Sequence, residues 1–354
     1  MLTWSLVVCT LNRREILLKC LEATLKQSRK PQQMIIVDAS DDWQESKKSI
    51  ANSLGATLLE PEFIYIGSEI KSLTHQRNVG LKKCRTDVVF FIDDDAFMYT
   101  DYAEKVMQIY EMDEKGLIGG IMGVLAALEP DKDETSDAVS PAISSDSGIK
   151  RLKKSFSNYL SEFWYQTELL IPYNGKYYYY NMAETFEPDL VADIALLHGC
   201  RMTFRTNIVR EVGGFNEILT RGAIAEDSDL SYRISQKYAL VIALQAKICH
   251  WETQVERLNR FKNVQLGILN AVVLFLLNNN NFQSGIRLAV YRFALTRLLL
   301  ELCRESFQPQ RGFVQTRGAL AAMKVIPQIL SMTPEQLRTW YLSFQLSVYQ
   351  TKSL

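Results

Sequence analysis

Apolar residues in the first third of the chain follow two alternating periods. Trp4–Thr10 is a compact apolar run with β-branched residues, which predicts a first strand. Asn12 then predicts a capped helix whose apolar positions Ile16, Leu17, Cys20, Leu21 and Leu25 share one face. Met34–Val37 predicts a second strand ending at Asp38, Glu45–Leu54 a helix, and Thr57–Glu60 a short strand. His75–Cys84 reads as a helix and Val88–Ile92 as the next strand. Continuous apolar strands alternating with helices predict an α/β fold with a mostly parallel central sheet covered on both faces. In open sheets of this kind ligands bind beyond the carboxyl ends of the strands. Asp38 and Asp93, Asp94 and Asp95 stand at such ends.

Further on, Leu117–Leu128 predicts a strand entered through Gly119-Gly120. The composition of Glu129–Lys150 shifts to Asp, Ser, Pro and Thr, which predicts a mobile loop. Phe156–Tyr180 is rich in aromatic residues and reads as a packed core or hairpin, with a binding surface as the alternative. Asp193–Phe204 predicts a strand, Thr206–Val212 a short helix, Ala225–Gln236 a helix and Leu240–Cys249 a last strand. Beyond His250-Trp251 the pattern is helical to about Leu346, interrupted at Gln308–Gly312 and near Pro334. A boundary near residue 255 follows, with residues 1–255 as one domain and 256–354 as a C-terminal helical region.

Composition narrows the function. The chain has 354 residues, 47% hydrophobic, enough for a substantial core in one large domain or two. Basic and acidic residues balance at 40 each, which argues against a general nucleic-acid footprint and leaves room for a local basic patch. Six dispersed cysteines with no CxxC pair argue against a zinc site or disulfide framework and fit a reducing, cytoplasmic setting. The start, MLTWSLVVCTLNRRE, lacks the basic segment and apolar length of a signal peptide. LGILNAVVLFLL, Leu266–Leu277, is shorter than the roughly 20 apolar residues of a spanning helix and contains Asn270, so it predicts a buried or interfacial helix. Leu288–Leu302 interleaves Arg292 and Arg297 with apolar residues; helix packing explains it, with peripheral contact at the inner face of a membrane as the alternative.

The candidate chemistry is acidic. VVFFIDDDAFM runs a buried strand into three aspartates, whose mutual repulsion a solvated turn or a divalent cation would relieve. Carboxylates suit Mg²⁺ or Mn²⁺, which bind one or two of them together with substrate phosphates. Asp38 can accept hydrogen bonds from a ribose or base edge, or cap a turn. Glu226-Asp227 opens a helix, where acids suit the dipole and a general base is also well placed. His250 follows a strand and can complete a metal shell or serve structurally. Arg77-Asn78, early in a helix, can meet a phosphate or sugar.

The order of these segments says more than any one of them. SLVVCTLNRRE, IIVDASDD, HQRNVGLKKCRTDVVFFIDDDA, HGCRMTFRTNIVREVGGFNE, AEDSDLSYRI and ICHWE, taken together, resemble the family 2 nucleotide-sugar glycosyltransferases with the GT-A fold, over about residues 3–255. The resemblance implies that Thr10, Asn12, Arg13 and Asp38 surround the donor nucleotide, joined by the pair Arg77 and Asn78. It places Asp93, Asp94 and Asp95 on the DXD motif, with Asp95 as the direct metal ligand and Asp93 and Asp94 toward the donor. Gly199 to Arg205 match the strand bordering acceptor and donor sugar, and Glu226 and Asp227 match the ED motif with Asp227 as base. His250 matches a histidine that in some members joins the metal shell. The implied reaction is an inverting, metal-dependent transfer from a nucleotide-diphosphate sugar to a carbohydrate or lipid-linked acceptor, in bacterial-type polysaccharide or glycoconjugate synthesis. Glu129–Lys150 would close over the donor. CTLNRRE departs from the family's Thr-Tyr-Asn segment, and the QxxRW motif of processive synthases is absent, which favours a single transfer.

Two rival readings remain. A haloacid-dehalogenase-like phosphohydrolase would use Asp93 as nucleophile and Asp95 as acid/base, but its motif belongs on a first strand, and two or three strands precede it here. A non-catalytic nucleotide-sugar-binding scaffold would not need Asp95, Asp227 and His250 together.

Overall fold

The computed structural model of the chain describes residues 1–130, 170–173, 178, 180–187, 189–251, 259–279, 284–307, 310 and 312–350. Most of Glu129–Lys150, much of Phe156–Tyr180 and the boundary expected near residue 255 lie outside the described residues. The chain divides into two compact units, Met1–Asp133 with Tyr177–Arg257, and Glu134–Lys176 with Leu258–Leu354.

The first unit is built on a nine-stranded sheet: β1 (Trp4–Thr10), β2 (Gln33–Asp38), β3 (Glu62–Gly67), β4 (Val88–Ile92), β5 (Ala96–Met98), β6 (Ile118–Ala126), β7 (Val191–Asp193), β8 (Arg201–Arg205) and β9 (Ala239–His250). The spatial order is β3-β2-β1-β4-β8-β6-β9-β5, with β7 on β9. β3, β2, β1 and β4 are mutually parallel, as continuous apolar strands predict. β8 runs antiparallel to both β4 and β6, and β6 returns to parallel pairing with β9. The result is a mixed, mostly parallel α/β sheet flanked by helices.

Alternation along the strands supplies two cores. Trp4, Leu6, Val8, Met34, Ile36 and Phe90 point to one face, where α1 (Arg14–Leu25) and α4 (Tyr102–Met112) cover them. Val7, Ile35, Val37, Val89, Phe91 and Phe204 point to the other, under α3 (Leu73–Lys83), α5 (Thr206–Glu211) and α6 (Glu226–Ser235). α3 lies so close to β1 that a Cβ on Gly80 would stand 2.4 Å from Val7 Cγ1, so only glycine fits there. α2 (Trp43–Leu54) completes the set.

Several elements differ from expectation. Thr57–Glu60 is no strand: a 3-10 turn occupies Gly55–Leu59, and the strand follows at Glu62–Gly67, where Phe63 and Tyr65 supply the packing side chains. Asn12 does not cap α1; it takes a left-handed conformation (φ 56°) and Arg13 holds the cap position. The predicted strand Asp193–Phe204 is two short strands, β7 and β8, separated by a turn.

The second unit's described helices are α7 (Arg260–Asn278), α8 (Ser284–Ser306), α9 (Val314–Ile329) and α10 (Pro334–Gln350). Asn259 caps α7 by accepting from the Lys262 amide at 2.9 Å. α7 is longer than its apolar segment suggested: among the described residues it alone is long and apolar enough to cross a membrane, yet 67% of its apolar window is buried. Its Asn270 accepts from the buried Tyr341 hydroxyl of α10.

Candidate active site

Parallel register explains why the site gathers where it does. β1 pairs with β4 such that Val7 faces Phe91, and extending the register by three residues sets Thr10 opposite Asp94. The Thr10 hydroxyl donates to Asp94 Oδ2 at 2.7 Å and Arg13 Nη1 donates to Asp94 Oδ1 at 3.0 Å. Both oxygens of the middle aspartate are thus turned into the β1 loop. Burial, with the neighbouring Asp95 and Asp93 charges, pushes the Asp94 carboxyl up to about 7 against the pull of Arg13 and Thr10.

The flanking aspartates face a different partner. Asp93, Asp95 and His250 each present a ligand atom within 4.8 Å of the others. β5 pairs antiparallel with β9 and aligns Ala96 with His250, which brings the imidazole beside the aspartates. His250 Nε2 lies 3.1 Å from Asp95 Oδ1. That hydrogen bond first, then one with Cys200, raises the imidazole to about 10. Two carboxylates and an imidazole form a donor set that suits Mn²⁺ and other first-row ions better than Mg²⁺, which prefers oxygen alone. The spacing of the three groups fits a single divalent ion.

Arg77 ties this cluster to the acidic pair of α6. Its guanidinium is buried and donates to Glu226 Oε1 at 2.7 Å, Asp93 Oδ1 at 2.9 Å and the Gly199 carbonyl at 3.0 Å. Burial disfavours its charge, but Glu226 and Asp93 outweigh that and hold it firmly protonated. Burial and the adjacent Asp227 push Glu226 up to about 8. Asp227 is half-buried and accepts from the Gly199 amide at 2.8 Å, the Ser228 amide at 2.7 Å and the Ser228 hydroxyl at 3.2 Å. A carboxylate offers about four acceptor positions, so one remains for a substrate hydroxyl.

A tense loop delivers this pair. Arg221, Ala223 and Ala225, just before Glu226, all hold left-handed backbone (φ 56°, 45° and 77°), at a cost of about 1 kcal/mol or more each. The loop is pinned to the start of α3, where the Leu73 amide donates to the Arg221 carbonyl at 2.8 Å and the Thr74 hydroxyl to the Leu219 carbonyl at 2.5 Å.

Residues 5–164 match the family model described as Glycosyl transferase family 2. Over that stretch the chain is similar to a family 2 glycosyltransferase domain. The structure is similar to the mannosyltransferase PcManGT of Pyrobaculum calidifontis, solved with GDP-Man and Mn²⁺, at 13% identity and a TM-score of 0.50 over 98% of this chain and 86% of that one. It is similar to GalNAc-T7, solved with UDP, GalNAc and Mn²⁺, at 13% identity and a TM-score of 0.52 over 85% of this chain. S. aureus TarS also matches, at 13% identity and a TM-score of 0.45 over 82% of this chain. The chain spans 42% of the length of TarS and 51% of GalNAc-T7. The likenesses to PcManGT and GalNAc-T7 establish a GT-A-like fold. A search among curated proteins finds no match.

Two expected site residues lie elsewhere. Arg205 pairs with Val88, at the entry of β4, because β8 runs antiparallel; the DXD segment follows the other end. Its guanidinium donates to the Ile118, Tyr110 and Asp113 carbonyls and to Asp113 Oδ2, so it fastens α4 to β6. Asn78 turns from Arg77 toward the loop after α5, exchanging hydrogen bonds with the Phe215 backbone at 2.8 and 2.9 Å and donating to Glu217 at 2.8 Å. Asp38 does sit at its strand end, but its oxygens already accept from the Tyr65 hydroxyl at 2.6 Å and from the Ser40 amide and hydroxyl at 2.8 and 2.5 Å. The Asn12 amide in turn donates to Ser40 Oγ at 2.7 Å.

Sequence reasoning passed over Gln76, which donates to the Thr10 and Val37 carbonyls at 3.0 and 2.8 Å and so locks the ends of β1 and β2 together. A buried glutamine beside a buried arginine on a helix facing strand ends was the available signal. Cys200, the neighbour of His250, was equally inconspicuous. Beside Asp38, a cavity of about 270 Å³ is lined by Ala39, Ser40, Asp41, Trp43, Gly67 and Lys71.

Proposed function

We propose that this glycosyltransferase moves a sugar from a nucleotide-diphosphate donor to an acceptor hydroxyl in a single inverting step that depends on Mn²⁺ or Mg²⁺. The observation that carries the reading is the triangle of Asp93, Asp95 and His250 at the carboxyl edge of a GT-A sheet, joined through Arg77 and Gly199 to Asp227. A bound divalent ion would supply charge stabilisation at the departing diphosphate. Asp95, His250 and Asp93 would hold it. Arg77 keeps Asp93 aimed at the site, and Thr10 and Arg13 fix the loop by which the donor enters. Asp227, oriented by the Gly199 and Ser228 amides, takes the proton of the acceptor hydroxyl as that oxygen bonds to the anomeric carbon. Glu226, held by Arg77, shapes the wall beside it. The cavity lined by Trp43 and Ser40 offers a place for the nucleoside. The acceptor is carbohydrate or lipid-linked.

The test is Asp227→Asn, which preserves size and removes the base. The variant keeps the Mn²⁺-dependent thermal shift with a nucleotide sugar and loses about 10²- to 10⁴-fold in transfer rate. Transfer at the wild-type rate would overturn the base assignment. NMR of the product anomer decides the stereochemistry, and retention at the anomeric carbon would remove the single-displacement reading.

A further inference from the structure

Charge is unevenly shared along this neutral chain. From Leu258 to Thr333 there are nine Lys or Arg residues and two acids, Glu301 and Glu305. Both acids are buried. Glu301 accepts from Arg297 and Arg304 on its own helix, at 3.4 and 3.2 Å. Glu305 accepts from the Gln315 and Thr316 amides at 2.9 Å and so caps α9. Arg287, Arg304, Arg317 and Lys324 are exposed, and no acid on α8 or α9 is.

The outer face of α8 is also apolar. Leu288, Tyr291, Leu295, Leu299 and Leu302 recur every three or four residues and all are exposed, Leu288 at 61% and Leu299 at 52%. Phe307, just past the helix end, is 71% exposed. Scattered exposed leucines are ordinary, whereas an aligned stripe along about four turns is the mark of an interaction surface.

We infer that α8 lies on an anionic lipid surface, with its leucine stripe at the headgroup–acyl boundary and its arginines among the phosphates. Charge complementarity selects this occupant. A second copy of α8 packed on the first would bring like charges together with no exposed acid on either helix to answer them. Arg297 and Arg304 already meet Glu301 and an anionic bilayer answers the exposed Arg287; an amphipathic helix with arginine beside its apolar stripe is suited to that interface. The inference is independent of the glycosyl-transfer reading, because vesicle binding is measured without donor or acceptor.

Flotation of the full chain with phosphatidylcholine vesicles, with and without phosphatidylglycerol, tests it. The expected result is binding at least tenfold stronger to the anionic vesicles and weakened by salt. Leu295→Ser/Leu299→Ser abolishes it, while circular dichroism shows the fold intact. Arg287→Gln binds about fivefold more weakly at low salt, the loss expected for one basic side chain at such a surface. Equal binding to neutral vesicles, or none to either, overturns the inference. So does a dimer in analytical ultracentrifugation that the double serine substitution dissolves, which would assign the stripe to self-association.

Discussion

The Gly199 amide donates to the Asp227 carboxylate at 2.8 Å, and a Cβ at Gly199 would stand 3.5 Å from that same carboxylate, 3.0 Å from Glu226 Oε1 and 3.4 Å from Arg77 Nη2. One methyl group would therefore press on Glu226 and touch Arg77 and Asp227. Gly199→Ala is expected to lower kcat at least tenfold, since small displacements at a reacting centre are costly. Tm should move by no more than a few degrees. Steady-state kinetics beside a thermal melt checks it; wild-type kcat would mean that the wall around Asp227 is looser than its hydrogen bonds indicate.

His250 and Asp95 make a second case. Imidazole is a good ligand for Mn²⁺ and a poor one for Mg²⁺. His250→Ala should weaken Mn²⁺ binding at least tenfold and Mg²⁺ binding much less, measured by calorimetric titration of each ion. Asp95→Ala should weaken both. Equal losses for the two ions in His250→Ala would place the imidazole outside the coordination shell.

Glu226 gives a pH signature. Burial and then Asp227 raise its carboxyl from an ordinary 4.5 to about 8, so the folded chain holds a proton that the unfolded chain releases in between. Protons bound in the native state exceed those in the unfolded state, and this group's contribution to stability falls as pH rises from about 4.5 to 8. Glu226→Gln carries no such proton. Its stability relative to the wild type should rise across that window and level off above it, as read from denaturant melts at pH 5, 6.5 and 8.5.

Asn78 separates inheritance from geometry. The family resemblance sets it beside the donor, while the structure has it clasping the loop at Phe215 and Glu217. Asn78→Ala should cost about 1–3 kcal/mol of stability, the usual loss when buried partners are orphaned. Its affinity for a nucleotide sugar should stay within about twofold. A collapse in affinity without a fall in stability would restore the donor role.

Three of the parallel strands, β1, β2 and β4, were legible because each is a mainly apolar run that ends on polar residues, whereas β3, EFIYIG, is half exposed and was expected too early, at Thr57–Glu60. The gathering of Asp95 and His250 was legible in kind, since carboxylates and histidine at strand ends have few reasons to coincide, while Asp93 was expected to turn toward the donor and lies within 4.8 Å of both. Strand direction was not. A run such as RMTFR packs equally well either way up, and only its neighbours decide that Arg201 and not Arg205 lies opposite Ile92, at the end of β4 that leads into Asp93. The helix Tyr102–Met112 was overlooked, although Tyr102, Val106, Met107, Ile109 and Tyr110 lie along one buried face. The three-residue β5 offers no period to detect. Partnerships such as Arg77 with Gly199 join residues 122 positions apart and leave no trace in local pattern.

The reversed β8 divides the molecule's tolerance for change. Each residue along an antiparallel strand advances about 3.4 Å, so Arg205 lies roughly 14 Å beyond Arg201. Under the proposed function, residues 198–201, leading into β8 beside Arg77 and Asp227, are the short interval in which substitution retunes selectivity. Past it, the same strand is open to thermostabilising redesign, because Arg205 and Asp113 act on the α4–β6 scaffold.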